Sequence, residues 1–402
     1  MPRPSLYLYV FLGLVLFYAS IASAGVAYRN IHVFGRSAAQ PSSGLVLDAQ
    51  GYAYGTTFQG GSKGGGTVYR LSPTGAFEII YVFSGHPDGK HPQGNVAFDA
   101  NGNLYGTTVN GGKFTSCNSG LGCGTVFMLA PPPSGKGIWK ETVLYDFAGP
   151  NNDGANPQAG VILDAGGDLY GTTEYGGRNV CIGSDAGCGT VFELERTQSG
   201  WVEIVLHNFG GVQVDGATPV GGLIFDSAGN LYGAAAGTAY EMAQSEAGWQ
   251  LTVLHYFGGG SDGDGPRGSL AIDAQGNLYG TTYAGGQFSN GTVYELTPDA
   301  GGWIETILHN FAGGSEDGAQ PQAGVTLDAN GTVYGTTYDG GGTGNGPGTV
   351  FELTINSGQW TEALYRFKPN QWGKPASSIL LINTTAYMAS NASPGAIFSL
   401  SR

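Results

Sequence analysis

A short motif, Y-G-T-T, recurs along the chain and constrains its fold more than any other feature. Five copies are intact, one is worn and a seventh keeps only the tyrosine and small residues after it; the copies begin at Tyr54, Tyr105, Tyr170, Tyr232, Tyr279, Tyr334 and Tyr387. They lie 47 to 65 residues apart, inside longer units close to G-V-x-L-D-A-x-G-N-L-Y-G-T-T-x-x-G-G. Repeats near fifty residues with several short strands each are typical of propeller blades or solenoids.

Each unit predicts four short strands, which we name a to d in chain order. In the sixth unit, alternating side chains and glycine turns predict strands over Gly324–Asp328, Val333–Thr337, Gly348–Leu353 and Trp360–Phe367. Four antiparallel strands joined by tight turns make one propeller blade.

The two ends of the repeat region complement each other. The last unit ends with Gly395–Leu400, which matches strand c, and no strand d follows. The segment from Tyr28 to Phe34 matches strand d, and no strands a to c precede it. An N-terminal strand that completes the last blade would close the ring without an exposed edge. The sequence therefore predicts an all-β fold: a seven-bladed β-propeller of four-stranded antiparallel blades, in preference to an open solenoid.

Composition limits the partners. The net charge is −14 and the chain carries 16 Lys and Arg against 30 Asp and Glu. Nucleic-acid binding needs a basic surface, so nucleic acid is not expected. This charge is compatible with cations or with neutral polar ligands such as sugars.

The N-terminus has the features of an export signal. Arg3 supplies positive charge, an apolar run follows, and Ala22-Ser23-Ala24 offers small residues before Gly25. We predict a signal peptide over 1–24 and a single propeller domain over 25–402. The predicted location is extracellular, on the cell surface or periplasmic, with no membrane span.

The four cysteines fall in equivalent loops of two neighbouring repeats. Two local disulfides, Cys117–Cys123 and Cys181–Cys188, suit an exported chain. One zinc site is the alternative, but the spacing within each pair is longer than in zinc knuckles. No metal is therefore predicted at the cysteines.

The connections from strand d to the next strand a carry the candidate ligand-binding residues. Most contain Asp-Gly-x-x-Pro, and one also holds two histidines; the candidates are His86, Asp88, His91, Asp153, Asp215, Asp262, Asp264 and Asp317. These loops should emerge beside the central channel, where a ring of carboxylates could bind Ca²⁺ or a hydroxyl-rich ligand. The alternative is that Asp, Gly and Pro build the turns. No cofactor is predicted. Binding of Ca²⁺ by the carboxylates of these loops stays an open alternative.

Other repeated residues indicate structure. Three histidines, His207, His255 and His309, occupy one strand-d position in successive units. Because they belong to different blades, one metal ion could not bind two of them. A tryptophan opens strand d and a phenylalanine closes it in five units, which favours packing between blades.

The predicted function is that of a secreted binding or scaffold module, which recognises a polysaccharide or a surface protein through the loop face, as a monomer. The alternative is a propeller enzyme, a lyase or glycoside hydrolase, at the mouth of the central channel. No residue is predicted to be catalytic, and binding is preferred over catalysis.

Residues about 41 to 367 resemble the choice-of-anchor tandem-repeat GloVer-containing family of bacterial exported proteins. The shared motifs are D-G-x-x-P-x-x-G-x-x-x-D-x-x-G-N-L-Y-G-T-T-x-x-G-G and G-T-V-F-E-L. The resemblance implies export and a repeat domain, and it brings no catalytic residues. The shorter pattern G-x-x-x-D-x-x-G-N-L-Y is also similar to NHL-type propellers.

Overall fold

Seven antiparallel sheets of four main strands each form the blades of a propeller ring. The computed structural model describes residues 25–401 except 36–37, 134, 136, 151–152, 182–185, 369–370 and 393. The predicted signal peptide, residues 1–24, lies outside the described residues, and the domain boundaries stay a prediction. We number the blades 1 to 7 by the order of their strands b.

The two central strands of each blade are continuous and mostly buried. Strands b span Ala53–Gly60, Leu104–Thr108, Leu169–Thr173, Leu231–Ala235, Leu278–Gly285, Val333–Thr337 and Thr385–Ser390. Strands c span Thr67–Leu71, Thr125–Ala130, Thr190–Thr197, Thr238–Ser245, Thr292–Asp299, Thr349–Asn356 and Ala396–Ser401.

The outer and inner strands complete each blade. Strands d span Phe77–Val82, Lys140–Asp146, Gly200–Asn208, Gly248–Tyr256, Gly302–Asn310, Gln359–Arg366 and, for blade 7, Ala27–Val33. Strands a span Val46–Leu47, Ala97–Phe98, Ile162–Leu163, Ile224–Phe225, Gly263–Ile272, Thr326–Leu327 and Leu380–Ile382. The described helical structure is one 3₁₀ turn, Asn118–Gly120, and no described helix has the length and apolarity that crossing a bilayer requires.

The predicted closure of the ring is confirmed. The N-terminal strand pairs antiparallel with the last strand, from Ala27 opposite Ser401 to Val33 opposite Ala396. The register shifts between Asn30 and His32. Blade 7 therefore takes its outermost strand from the start of the described chain.

Aromatic contacts join every blade to the next. The phenylalanine that ends strand d packs against an aromatic residue on strand c of the following blade, with ring centroids 4.9 to 5.3 Å apart. The series includes Phe367 on Phe398 and closes with Phe34 on Tyr69. Seven equivalent contacts leave no unpaired blade, which is what a closed ring requires.

Tyrosine and glycine of Y-G-T-T serve packing. The tyrosine lies edge-on against the strand-d tryptophan of the next blade at four interfaces, at 6.0 to 6.3 Å. A side chain on the glycine would clash, since a Cβ on Gly106 would lie 2.7 Å from the ring of Phe127. The predicted packing role of the tryptophans is confirmed at these interfaces.

The two threonines link strands and blades. In the five intact motifs, the first threonine donates a hydrogen bond to a backbone carbonyl at the start of the next blade's strand a, as Thr107 does to Ala159 at 2.7 Å. The second lies 2.7 to 2.9 Å from a threonine hydroxyl on strand c of its own blade. These buried bonds explain why both positions are polar in a sheet interior.

Small connecting strands occupy one face of the ring. Gly89–Lys90, Gly154–Ala155 and Gly318–Ala319 of the d-to-a connections pair with Asn110–Gly111, Tyr175–Gly176 and Asp339–Gly340 of the b-to-c loops; Ala38–Pro41 pairs with strand b of blade 1. The d-to-a and b-to-c loops therefore share a face. Both predicted disulfides, Cys117–Cys123 and Cys181–Cys188, are present in these loops.

Strand a has only two or three residues in every blade except blade 5. In blade 6 it pairs only over Thr326–Leu327, whereas the sequence predicts a strand over Gly324–Asp328. The residues before it leave the ladder and approach the neighbouring blade, where a Cβ on Gly324 would lie 2.0 Å from the carbonyl oxygen of Ser269. This contact between blades at the ring's inner rim replaces sheet pairing.

Candidate binding site at the channel mouth

A break in each inner strand builds the mouth of the central channel. In the long strand Gly263–Ile272 of blade 5 the register shifts between Arg267 and Ala271, which is the signature of an irregular bulge. A proline precedes the break in each blade, and the residue before that proline has a positive φ of 43° to 62° in all seven; these residues are Gln40, His91, Asn156, Thr218, Gly265, Gln320 and Lys374. Bulges of this kind redirect side chains out of a sheet.

The redirected residues line a cavity. It has a volume of about 760 Å³, and all seven blades contribute to its wall. The residue that follows each proline belongs to the lining: Ser42, Gln93, Gln158, Val220, Arg267, Gln322 and Ala376. Because every blade supplies its innermost strand, the cavity lies at the centre of the ring.

Amide side chains are the largest polar group in the wall, beside five hydroxyl side chains. Six Asn and Gln residues line it: Gln40, Gln93, Asn95, Gln158, Gln322 and Asn391. Gln158 donates to the Glu174 carboxylate, and Asn95 accepts from the backbone N–H of Gly44. Within the described part of the chain, Gln93 and Gln322 make no side-chain hydrogen bond, so both amides are available to a ligand.

The cavity wall carries little net charge. Among the described lining residues, Glu174 is the one acid and Arg267 the one base. The guanidinium of Arg267 lies over the Tyr283 ring, 4.4 Å from its centroid. An aromatic side chain, Phe58, also lines the cavity and stacks on His91 at 4.4 Å.

The aspartates predicted in the d-to-a loops each bind their own turn. Asp153 accepts backbone N–H bonds from Ala148 and Gly154 and a hydroxyl bond from Tyr145. Asp88, Asp215, Asp262 and Asp317 make equivalent contacts in their own loops. None of these five residues belongs to the cavity wall.

The remaining predicted residues also lie outside the cavity wall. His86 Nδ1 is 2.6 Å from the Gly112 carbonyl oxygen, and His91 Nδ1 is 2.9 Å from Asn110 Oδ1. Asp264 is exposed on strand a of blade 5. Ligand binding by the eight predicted residues stays a prediction; His91 contacts the wall residue Phe58.

Sequence analysis missed a set of glutamates at the blade interfaces. Glu141, Glu203, Glu305 and Glu362 lie two residues after the strand-d tryptophan. Each interacts with the loop aspartate of the preceding blade. Burial, reinforced by that aspartate, raises the pKa of Glu203 to about 8 and the pKa values of the other three to about 7.

The three histidines lie in three different blades, so they do not meet one another, as predicted. Each instead faces the aspartate of its own d-to-a loop. In two cases the next blade adds a glutamate, which gives the clusters His255–Asp262–Glu305 and His309–Asp317–Glu362. The repeated W-x-E pattern was visible in the sequence, but its partners depend on how neighbouring blades are staggered.

Solved structures similar to this chain are propellers. Virginiamycin B lyase from Staphylococcus aureus aligns over 94% of this chain and 99% of its own, with a TM-score of 0.58 and 15% identity. The extracellular domain of a protein described as a hybrid two-component system from B. thetaiotaomicron aligns over 92% of this chain and 40% of that chain, with a TM-score of 0.51 and 13% identity. At these identities the likeness extends to the fold alone.

The sequence pattern described as the Gloeobacter/Verrucomicrobia repeat matches residues 40–239 and 234–399. These two matches together cover nearly all of the described propeller. No protein of curated function matches the chain in sequence. The chain therefore belongs to the Gloeobacter/Verrucomicrobia repeat family.

Proposed function

We propose that this propeller is an exported binding module that holds a neutral, hydroxyl-rich ligand, a carbohydrate, at the mouth of its central channel. The observation that carries the proposal is the group of six amides, from five of the seven blades, around a cavity of about 760 Å³. An amide donates and accepts hydrogen bonds at once, which matches the hydroxyl groups of a sugar. The volume falls within the range of small-molecule sites.

The rigid frame of the mouth supports binding. Each amide that follows a proline is itself followed within two residues by a glycine that packs closely against a neighbouring blade; these glycines are Gly94, Gly160 and Gly324. Proline and the close contacts at the inner rim limit backbone movement, so little conformational entropy would be lost when a ligand binds. Phe58 adds an apolar surface to the same wall.

The charge of the wall favours binding over hydrolysis. Glycoside hydrolases commonly use two carboxyl groups about 5 to 9.5 Å apart. The described wall has a single carboxylate, Glu174, and Gln158 already donates to it. A lyase or glycoside hydrolase at this position would need a second acid or base that is not among the described residues of the cavity wall.

Export is supported by the two disulfides, since such bonds persist in oxidising compartments. The apolar N-terminal segment that precedes the small residues 22–24 supports the same location.

The test is binding of neutral oligosaccharides to the purified chain, first on a glycan array and then by titration calorimetry. We expect the double variant Gln93→Ala/Gln322→Ala to bind the best neutral glycan at least roughly 10-fold more weakly, since each lost hydrogen bond is worth about 1 kcal/mol. Binding should survive EDTA, because the described wall holds one carboxylate.

The matched control is Gln50→Ala/Gln275→Ala, which removes two exposed amides from turns between strands a and b. It should bind as the parent does. Absence of any neutral glycan ligand, or an equal loss in the control, would refute the proposal. Release of shortened sugar products would instead support the enzymatic alternative.

A further inference from the structure

Two blade interfaces carry the same three metal-binding groups. Between blades 4 and 5 these are His255, Asp262 and Glu305, and between blades 5 and 6 they are His309, Asp317 and Glu362. In each cluster the histidine and aspartate come from one blade and the glutamate from the next. The potential ligand atoms of each cluster all lie within 4.8 Å of one another.

We propose that each cluster binds one zinc-type divalent transition-metal ion, which links neighbouring blades at the outer strands, apart from the channel mouth. One imidazole and two carboxylates form a mixed N/O ligand set of the kind that zinc accepts. A water molecule would supply the fourth ligand. Calcium is a poor fit because it takes oxygen ligands and many of them.

The distances between the ligand atoms suit a metal centre, and only the His309–Asp317 pair is also within hydrogen-bond reach among the described contacts of the two clusters. His255 Nε2 lies 3.4 Å from Asp262 Oδ2 and 3.7 Å from Glu305 Oε2. In the second cluster, His309 Nε2 lies 3.3 Å from the aspartate and 3.5 Å from the glutamate. Ligand atoms around a tetrahedral ion with bonds of ~2.0–2.1 Å are themselves about 3.4 Å apart.

A buried nitrogen without a hydrogen-bond partner supports the first cluster. His255 Nε2 is fully buried and accepts or donates no hydrogen bond among the described residues. Oε1 of Glu305 and of Glu362 is buried and unpaired as well, a state that Glu141 and Glu203 share at interfaces without a histidine. An unpaired buried polar atom is costly, so such atoms commonly bind water or an ion. The aspartates are already oriented, because each accepts two backbone N–H bonds from its own loop.

A third histidine, His207, allows the histidine–aspartate distance to be compared at an interface that lacks the glutamate. His207 faces Asp215, but Leu251 occupies the place that Glu305 and Glu362 take in the next blades. There the His207 Nε2 to Asp215 Oδ2 distance shortens to 2.8 Å, an ordinary hydrogen bond. Only where the third ligand is present do histidine and aspartate stand at metal-binding separation.

The test is zinc titration of tag-free, EDTA-stripped protein, by calorimetry and by competition with a chromophoric chelator. We expect two equivalents per chain. Glu305→Gln and Glu362→Gln should each weaken zinc binding at one site by roughly 10-fold or more, and the double variant should weaken both sites. Excess Ca²⁺ should not displace zinc.

The matched control is Glu141→Gln, which removes the equivalent glutamate from an interface that has Tyr81 where the clusters have histidine. It should keep both equivalents. Leu251→Glu should add a third, beside His207 and Asp215. The proposal is overturned if the Glu305→Gln/Glu362→Gln protein binds zinc as the parent does, if Glu141→Gln loses as much, or if folded Leu251→Glu still binds two.

Discussion

The buried aromatic residue on strand c is tyrosine in some blades and phenylalanine in others, so the blades differ by one hydroxyl group. Tyr69, Tyr240 and Tyr294 are fully buried, and their hydroxyls have no hydrogen-bond partner among the described residues. Blades 2, 3, 6 and 7 have phenylalanine at the same position: Phe127, Phe192, Phe351 and Phe398. The ring fills the same space in both cases, so the buried hydroxyl is a local cost.

We predict that Tyr294→Phe stabilises the protein by about 1 kcal/mol, because it removes a buried polar group that lacks a partner. The control is Tyr279→Phe, which removes a hydroxyl that lies 2.8 Å from a Glu295 carboxylate oxygen and 3.1 Å from Asp273, and donates its one proton to this pair; it should lower stability by about 1–2 kcal/mol. Urea denaturation at pH 7 measures both. Equal destabilisation by the two variants would show that the Tyr294 hydroxyl has a partner.

At the scale of the strand, sequence patterns predicted what every blade shares. The turn aspartates behave as their sequence context predicts, since Asp273 accepts backbone N–H bonds from Gln275 and Asn277. A residue that repeats in every unit has the same packing role in every blade. The repeated residues were therefore enough to predict strands b, c and d and the turns between them.

Positions whose residue type differs between blades could not be predicted from the repeat pattern. The residue after the proline that precedes each inner-strand break differs from blade to blade. A search for repeated residues therefore does not find Gln93 and Gln322, although both line the channel. The interface glutamates repeat, but their partners belong to another blade. Finding Asp153 beside Glu203 requires the stagger between blades, which no single-strand pattern contains.

The interface glutamates also predict an unusual dependence of stability on pH. Burial, with Asp153 next to it, raises the pKa of Glu203 from its ordinary value of 4.5 to about 8. The unfolded chain therefore releases this proton first, and stability is lost as pH rises through the folded-state pKa. Glu141, Glu305 and Glu362, with pKa values of about 7, act in the same direction.

In EDTA, we expect the unfolding temperature to fall by several degrees between pH 5 and pH 9. Glu203→Gln should make that decline shallower, since its neutral amide does not titrate and each pKa unit corresponds to about 1.4 kcal/mol. The matched variant Glu246→Gln, on an exposed turn, should leave the decline unchanged. Calorimetry across that pH range would contradict the account if stability rose with pH or if both variants behaved alike.

At the scale of the whole molecule, one strand decides whether the repeats form a ring. Blade 7 has three strands of its own near the C-terminus, and the strand Ala27–Val33 supplies the fourth. Closure gives blade 7 its fourth strand and covers the facing sides of blades 7 and 1, which meet through Phe34 and Tyr69. The sequence predicted this from the complementary ends of the repeat region, because an incomplete last unit and an orphan first strand fit one arrangement.

The most direct test of the account is a cysteine pair across that closure, Ala27→Cys with Ser401→Cys, which stand opposite each other in the ladder. All four native cysteines are already in disulfides, so a new bond is easily identified. Mild oxidation of the folded protein should form the cross-link within one chain nearly completely, as read by mass spectrometry. The control pair, Ala27→Cys with Ser357→Cys in blade 6, should not form it. Failure of the first pair to cross-link in the native state, or equal cross-linking of both pairs, would contradict the closed ring.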